Sequence, residues 1–486
     1  MAILMVVSNP KNWPLSIPGV EVVSSRSYLT EAKYAEMKNA KIFNLCRSYR
    51  YQSSGYYVSL LASARGHKPI PNIVTLRDMR SPAITRIITE DLDENIQKSL
   101  KNIQSDTFIL SIYFGQNPVE KYSSLSMQIH QLFQAPLIRV HFIREKDWQV
   151  KHIELVPTSE IPESHRDFVV QRAIDYFNHK GSPRKRKDHY RYDLAILHDP
   201  NEQLPPSNER ALKLFAQAAE SLHLHTEFIT KDDIGSIAEF DGLFIRVTTK
   251  VNHYSYHFAR RAQTEGLVVI DDPESIIRCS NKVYLQEVLK RYRLRIPKTW
   301  VIHRDNLDDI QKEIFFPCIL KLPDSSFSRG VLKVENTQDL LNKTAEFFKQ
   351  SDLVIVQEYI PTPFDWRIGI INNTPLFACK YYMARHHWQI IKKSSDGKEL
   401  GGRVETFAIE NTPKRVVNLA LQAAHLIGDG FYGVDIKYYQ GKSYVIEIND
   451  NPSIESGFED EILKKELYHK VMKVFFDRIN KKKAGL

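Results

Sequence analysis

From about residue 192 the chain alternates short apolar runs with amphipathic ones. YDLAILHDP, FDGLFIRV and GLVVIDDP read as strands, and ERALKLFAQAAESL sets its apolar residues at helical spacing. This β-α-β rhythm, running to about 278, predicts a small parallel α/β unit. A second block, from about 280 to 476, contains FPCILKLP, DLVIVQEYI, RIGIINN, PLFACKYYM, GVDIKYY and SYVIEIN. Several of these are hairpin-like neighbours, which predicts a mixed or antiparallel sheet and an α+β block. The first ~175 residues mix strand and helix signals, as in SGYYVSLLASARGHKPIP and DTFILSIYF. No repeat and no low-complexity tract is legible, and the tail KKKAGL is expected to fray.

At 486 residues the chain is too long for one core. The densest charge run, HKGSPRKRKDHYRY, is broken by Gly181, Ser182 and Pro183 and reads as a linker. A plain tether and a nucleic-acid or ribosome contact both fit it. The organisation expected is 1–178, a basic linker 179–192, then 193–279, 280–476 and a basic tail 477–486. No apolar run approaches the roughly 20 residues of a membrane helix, and MAILMVVSNP lacks the basic start of a signal peptide. Cys46, Cys279, Cys318 and Cys379 form no C-x-x-C pair, which fits a reducing cytoplasm. The formal charge of +9 suits a polyanionic partner without choosing one.

Two glycine motifs are decoys. GDGFYG, Gly428 to Gly433, follows a helix and precedes a strand, the reverse of a dinucleotide loop. Thr412 and Pro413 are expected to open that helix and Gly428 to close it. Gly441-Lys442-Ser443 imitates the end of a Walker motif, but Ile436 stands where the upstream glycine belongs. The segment is a hairpin turn. The adjacent His386 and His387 fit a surface loop.

That hairpin carries the candidate chemistry. A three-residue loop, Gln440-Gly441-Lys442, would set Asp435 opposite Glu447 with Asn449 one step along the same face. A two-residue loop would set Asp435 against Ile446 and spoil the arrangement. On this reading Ile446 and Ile448 anchor the sheet on its other face. Two carboxylates and an amide oxygen are hard ligands suited to Mg²⁺ or Mn²⁺. A metal of that kind implies a nucleotide. Lys321 ends a strand before a small-residue loop with Ser325, Ser326, Ser328 and Gly330, which could cradle phosphates. Glu358, Tyr359 and Ile360 end another strand, where backbone groups could read an adenine edge. Lys282 opens a helix.

The order SNK, ILKLPDSSFSRGV, VIVQEYI, DWR, GVDIK and EINDNP resembles the RimK-like branch of the ATP-grasp ligases over about 190–476. The first ~150 residues, around KIFNLCRSYRYQSSGYYVSLLASARGHKPIPN, resemble the extra N-terminal domain of a longer RimK-like subgroup. The resemblance implies an N-terminal α/β domain, a parallel pre-ATP-grasp unit and an ATP-grasp fold of two α+β subdomains. It also implies ATP, one or two Mg²⁺ or Mn²⁺ ions, and carboxylate–amine ligation through an acyl phosphate. Lys282 and Lys321 would contact phosphates, Glu358 and Tyr359 adenine, and Asp365 the ribose. Asp435, Glu447 and Asn449 would hold metal, with Arg367 and Lys380 near the transferred phosphoryl group. Relatives in this branch add glutamate to a ribosomal protein or join amino acids and peptides. A protein acceptor and a homo-oligomer stay open. Where the family usually shows Arg-Ser-Asn, this chain reads Gln389, Ile390 and Ile391. Two other functions compete: an ATP-grasp kinase that does not ligate, and a ribosome- or RNA-associated binding protein.

Overall fold

The computed structural model describes residues 2–484 apart from 13–16, 18–19, 38–39, 82–84, 86–88, 90–91, 180–189, 325–329, 385–386 and 394–398. The chain divides into two compact units, Met1–Asp188 with Asp232–Glu239, and His189–Lys231 with Phe240–Leu486. Most of the basic linker thus lies outside the described residues. Among those described, no helix is long and apolar enough to cross a membrane.

The first unit holds a parallel sheet of β1 (Ala2–Val7), β2 (Glu21–Ser24), β3 (Ala40–Leu45) and β4 (Lys68–Ile70), in the order β2-β1-β3-β4. It also holds an antiparallel sheet of β5 (Thr107–Tyr113), β6 (Leu137–Arg144) and β7 (Trp148–Leu155). The second unit opens with a parallel sheet of β8 (Tyr192–Leu197), β9 (Leu224–Ile229), β10 (Gly242–Ile245) and β11 (Val268–Ile270), in the order β9-β8-β10-β11. The α/β unit expected there is therefore present.

The two parallel sheets have one topology, and from residue 53 onward they repeat at a fixed offset of 200 positions. Ser53 and His253 cap the helices Ser54–Ala64 and Tyr254–Thr264. Both helices end on a glycine in the left-handed region, Gly66 and Gly266. In each, the next amide reaches back to the helix, His67 N to Ala62 O and Leu267 N to Ala262 O, both at 2.9 Å. The strands Lys68–Ile70 and Val268–Ile270 follow, and Asn72 and Asp272 then cap the next pair of helices. The expectation of no repeat is corrected. Over positions 53–79 only Tyr56, Ala62, Gly66 and Ile70 keep their identity 200 residues later. Burial pattern and caps carry the fold while identities drift.

Two larger antiparallel sheets follow in the second unit, beside a two-stranded antiparallel pair, Ile391–Lys393 with Glu399–Gly401. One has β12 (Thr299–Ile302), β13 (Cys318–Lys321), β14 (Val331–Val334) and β15 (Val354–Glu358), in the order β12-β15-β13-β14. The other has β16 (Phe364–Ile371), β17 (Thr374–Tyr382), β18 (Val404–Phe407), β19 (Phe431–Tyr439) and β20 (Lys442–Asp450), in the order β18-β17-β16-β19-β20. On one face of the latter, Trp366, Ile368, Val434, Ile436, Val445 and Ile448 pack against helices Lys282–Arg291 and Lys414–His425. Each such side chain stabilises the fold by about 1.5–3 kcal/mol. That face fixes the sheet, so the other can carry charge.

Three local expectations differ. Pro413, not Thr412, is the cap residue of Lys414–His425, and the Thr412 hydroxyl donates instead to Ala408 O. Gly428 is not left-handed; a side chain there or at Gly430 would meet the Tyr432 hydroxyl at 2.7 or 2.8 Å. The C-terminal helix Lys465–Lys483 runs through the expected tail, with Ile479 in the core, so 477–483 is no separate segment.

Candidate active site

The hairpin that carries the oxygen ligands turns on two residues, not three. Gln440 and Gly441 both have positive φ, 49° and 76°, and Tyr439 pairs with Lys442. This is the type I′ pattern. Continued unbroken, its register would set Asp435 against Ile446. A β-bulge resets it: after Ile436–Val445 the next pair is Asp435–Glu447, then Val434–Ile448 and Gly433–Asn449. Ile446 is the extra residue. Val445 and Ile448 are buried whereas Ile446 is only half-buried, so the anchor expected at Ile446 is Val445.

Strand β16 adds Arg367 directly opposite Asp435. Arg367, Asp435 and Glu447 thus form a row across three strands on one face. The Arg367 guanidinium donates twice to Asp435, from Nε to Oδ1 at 2.7 Å and from Nη2 to Oδ2 at 2.8 Å. Asn449 Nδ2 lies 3.2 Å from Asp435 Oδ2. Lys282, placed by the Asn281 cap at the start of its helix, sets Nζ 2.9 Å from Glu447 Oε1. Lys321, at the end of β13, donates to Gln357 Oε1 at 2.7 Å. Asp365 accepts from Lys437 Nζ at 2.6 Å and from Thr362 Oγ1 at 3.1 Å.

The charges balance closely: Asp365, Asp435 and Glu447 face Lys282, Lys321, Arg367 and Lys437. Burial acts to raise the Glu447 carboxyl, but Lys282 and Lys321 outweigh it and hold it below its ordinary value. Burial pushes the Lys321 ammonium down to about 8, against the opposing pull of Glu447. For Asp365 burial wins over Lys437, and its carboxyl is raised. An arriving polyphosphate would compete for the four cations and release the carboxylates. Asp435, Glu447 and Asn449, the last through its amide oxygen after a side-chain flip, then fit a hard divalent cation in donor type. That ion would supply charge neutralisation at the phosphates.

Lys380 is not brought to this cluster. It pairs with Trp366, one residue out of step with Arg367, so it projects from the opposite face. There its Nζ lies 4.6, 5.0 and 4.6 Å from the ring centres of Phe364, Trp366 and Phe407. Glu358 is also elsewhere: it is exposed, and its Oε2 accepts from Lys298 N at 3.1 Å. Tyr359 lines a cavity of about 580 Å³ with Pro361, Thr362, Pro363, Met383, His387 and Trp388. Ile360 is buried beside it in sequence. Gly330 has a positive φ, and a side chain there would meet Leu322 at 2.9 Å, so it closes the loop after Lys321. Ser325, Ser326 and Ser328 lie outside the described residues.

Several residues escaped the sequence reading. Gln357 and Lys437 sit at register positions that alternation alone could have marked as facing Lys321 and Asp365. Trp388 stands edge-on to Tyr359 at 6.3 Å. Behind Arg367, the Tyr381 hydroxyl donates to Glu459. Arg246, just past β10 and 1% exposed, gave no signal at all. Its guanidinium donates to Ser207 Oγ (3.0 Å), Asn451 Oδ1 (2.6 Å), Pro206 O (2.5 Å) and Pro452 O (3.0 Å). It thereby holds the turn that follows Glu447 and Asn449.

Residues 279–473 match the model of the RimK-like ATP-grasp domain, and 25–172 that of the RimK-like ATP-grasp N-terminal domain. The alpha-aminoadipate–LysW ligase LysX of Saccharolobus solfataricus is 28% identical over 200 residues, 39% of this chain and 68% of that protein. A probable alpha-L-glutamate ligase of Vibrio vulnificus is 22% identical over 45% of this chain and 71% of its own length. A D-alanine–D-alanine ligase structure from Bacillus anthracis gives a TM-score of 0.46 at 15% identity, over 61% of this chain and 99% of that one. ATP-grasp ligases join a carboxylate to an amine at the expense of ATP, and with both domains present the chain belongs to the RimK-like ATP-grasp ligases.

Proposed function

We propose that the enzyme adds an amino acid, glutamate in the first instance, to a protein, peptide or small-molecule acceptor. The single observation that carries the reading is the row Arg367–Asp435–Glu447, with Lys282 on Glu447. It gathers cations for a transferring phosphoryl group beside oxygen ligands for a divalent metal. The amino acid is suggested by the probable alpha-L-glutamate ligase among the relatives.

A substrate carboxylate oxygen attacks the terminal phosphorus of ATP, and ADP leaves. The amine then attacks the acyl carbon, the C–O bond to phosphate breaks, and the amine gives up a proton. Lys282, Lys321 and Arg367 stabilise the charge that develops on the phosphoryl oxygens. Asp435, Glu447 and Asn449 would hold Mg²⁺ or Mn²⁺. The cavity at Tyr359 and Trp388 would take adenine, with Glu358 and Ile360 at its strand and Asp365 toward the ribose. Lys380 would act only by bracing β16 and β17 from behind.

The test is a screen of amino acids and peptides for Mg²⁺- and ATP-dependent ADP release, with mass spectrometry of the products. Release stimulated by one amine, with a product heavier by that amine less water, is expected. Release that needs no amine would make the protein a kinase instead.

A further inference from the structure

The two copies of the parallel sheet differ in what their carboxyl edge holds. In such sheets ligands settle outside the carboxyl ends of the strands, where the strand order reverses. In both copies that point lies between the first and third strands, β1 and β3 or β8 and β10. In the second unit the crevice is filled by an extended piece of the chain's own backbone. Ile454 N donates to Pro206 O at 2.8 Å, Ser207 Oγ to Ile454 O at 2.9 Å, and Arg246 to Pro452 O at 3.0 Å. This edge is built to hold a peptide.

In the first unit the matching loops are Ser8–Asn12 and Cys46–Ser53. Arg47 N donates to Ser8 Oγ at 2.9 Å and so ties the two lips together. Cys46 stands where Arg246 stands in the other copy, and the positive charge moves outward to Arg47 and Arg50, both exposed. Neither loop contains a carboxylate. Tyr51, 70% exposed, lies 5.2 Å from Tyr56 between ring centres. An exposed Tyr51 packed on a half-buried Tyr56, beside exposed arginines, is the composition of a recognition surface.

We propose that this crevice binds an extended acidic peptide from another molecule. Arg47 and Arg50 take its carboxylates, and Tyr51 and Tyr56 take its apolar atoms. The inference goes beyond the ligase reading and does not rest on it, because binding is measured without turnover. A fluorescein-labelled oligoglutamate peptide is titrated with the full chain in the absence of nucleotide. Binding should survive in a Lys282→Ala/Arg367→Ala variant and weaken about tenfold or more in Arg47→Ala/Arg50→Ala. Tyr51→Ala should weaken it less. Arg47→Ala/Arg50→Ala should keep its melting temperature and its ADP formation with a small amine. Unchanged affinity in that variant overturns the proposal, as does equal binding of oligoglutamine. Loss of binding in Lys282→Ala/Arg367→Ala would place the peptide in the catalytic cleft and also overturn it. Displacement of the peptide by single-stranded RNA that binds more tightly would make the crevice a nucleic-acid site.

Discussion

The sheet β2-β1-β3-β4 and the sheet β9-β8-β10-β11 share strand order, helix caps and a left-handed glycine, yet they carry different side chains after the third strand. The difference lies at the carboxyl edge. Arg246 turns inward and grips the turn that follows Glu447 and Asn449. Cys46 fills the same position as a small buried group, its thiol pushed up to about 12 by burial, and contributes no charge. The scaffold is common property. The copies part company in a few side chains just beyond the third strand.

The largest expected effect is at the proposed metal ligands beyond the second copy. Glu447→Gln or Asn449→Ala, with the fold retained in circular dichroism, should lower ATP-dependent ligation by on the order of 10²–10³. Normal turnover by both variants would sink the metal assignment. Next comes the comparison itself. Arg246→Met leaves Asn451 Oδ1 and two carbonyls without their buried donor, which should cost about 3 kcal/mol or more and reduce kcat. Cys46→Ala should cost about 1 kcal/mol and leave kcat alone. Equal kinetic effects from the two, read in steady-state assays, would break the contrast.

A third prediction concerns pH. Lys321 attracts phosphate only while protonated, and in the free enzyme that form is lost as pH rises through about 8. ATP affinity should therefore fall between about pH 7 and pH 9, and Lys321→Arg should flatten the fall, since arginine stays charged. A calorimetric pH series separates the two. The smallest effect tests the shared scaffold. Gly66→Ala and Gly266→Ala each force a side chain into the left-handed region and should each cost roughly 1 kcal/mol. Thermal melts that differ severalfold between them would show that the caps are not equivalent.

Much of this was legible in the sequence, for local reasons. The strands of the second unit announce themselves as apolar runs, and alternation puts Glu447 and Asn449 on one face. The same rule, carried unbroken from the turn of their shared hairpin, would have put Arg367 and Lys380 on one face. A register shift between Gly369 and Ile370 separates them, so that Lys380 pairs with Trp366. The repeat was illegible because four identities in 27 positions carry no signal, while caps and burial do. Arg246 could not be found because its partners lie 39 and 40 residues before it and 205 and 206 after it in the chain. The facing of Asp435 and Glu447 was anticipated, but from a loop length that the chain does not have.

That last mismatch has an evolutionary consequence. Because the bulge at Ile446 sits between the turn and the ligands, the turn can change length without touching the chemistry. One residue inserted between Gln440 and Gly441 lengthens the loop while Tyr439 still closes on Lys442, and the bulge still sets Asp435 against Glu447. Drift in the hairpin tip is in this way uncoupled from selection on the ligands, and the tip is where grafted sequence would be best tolerated.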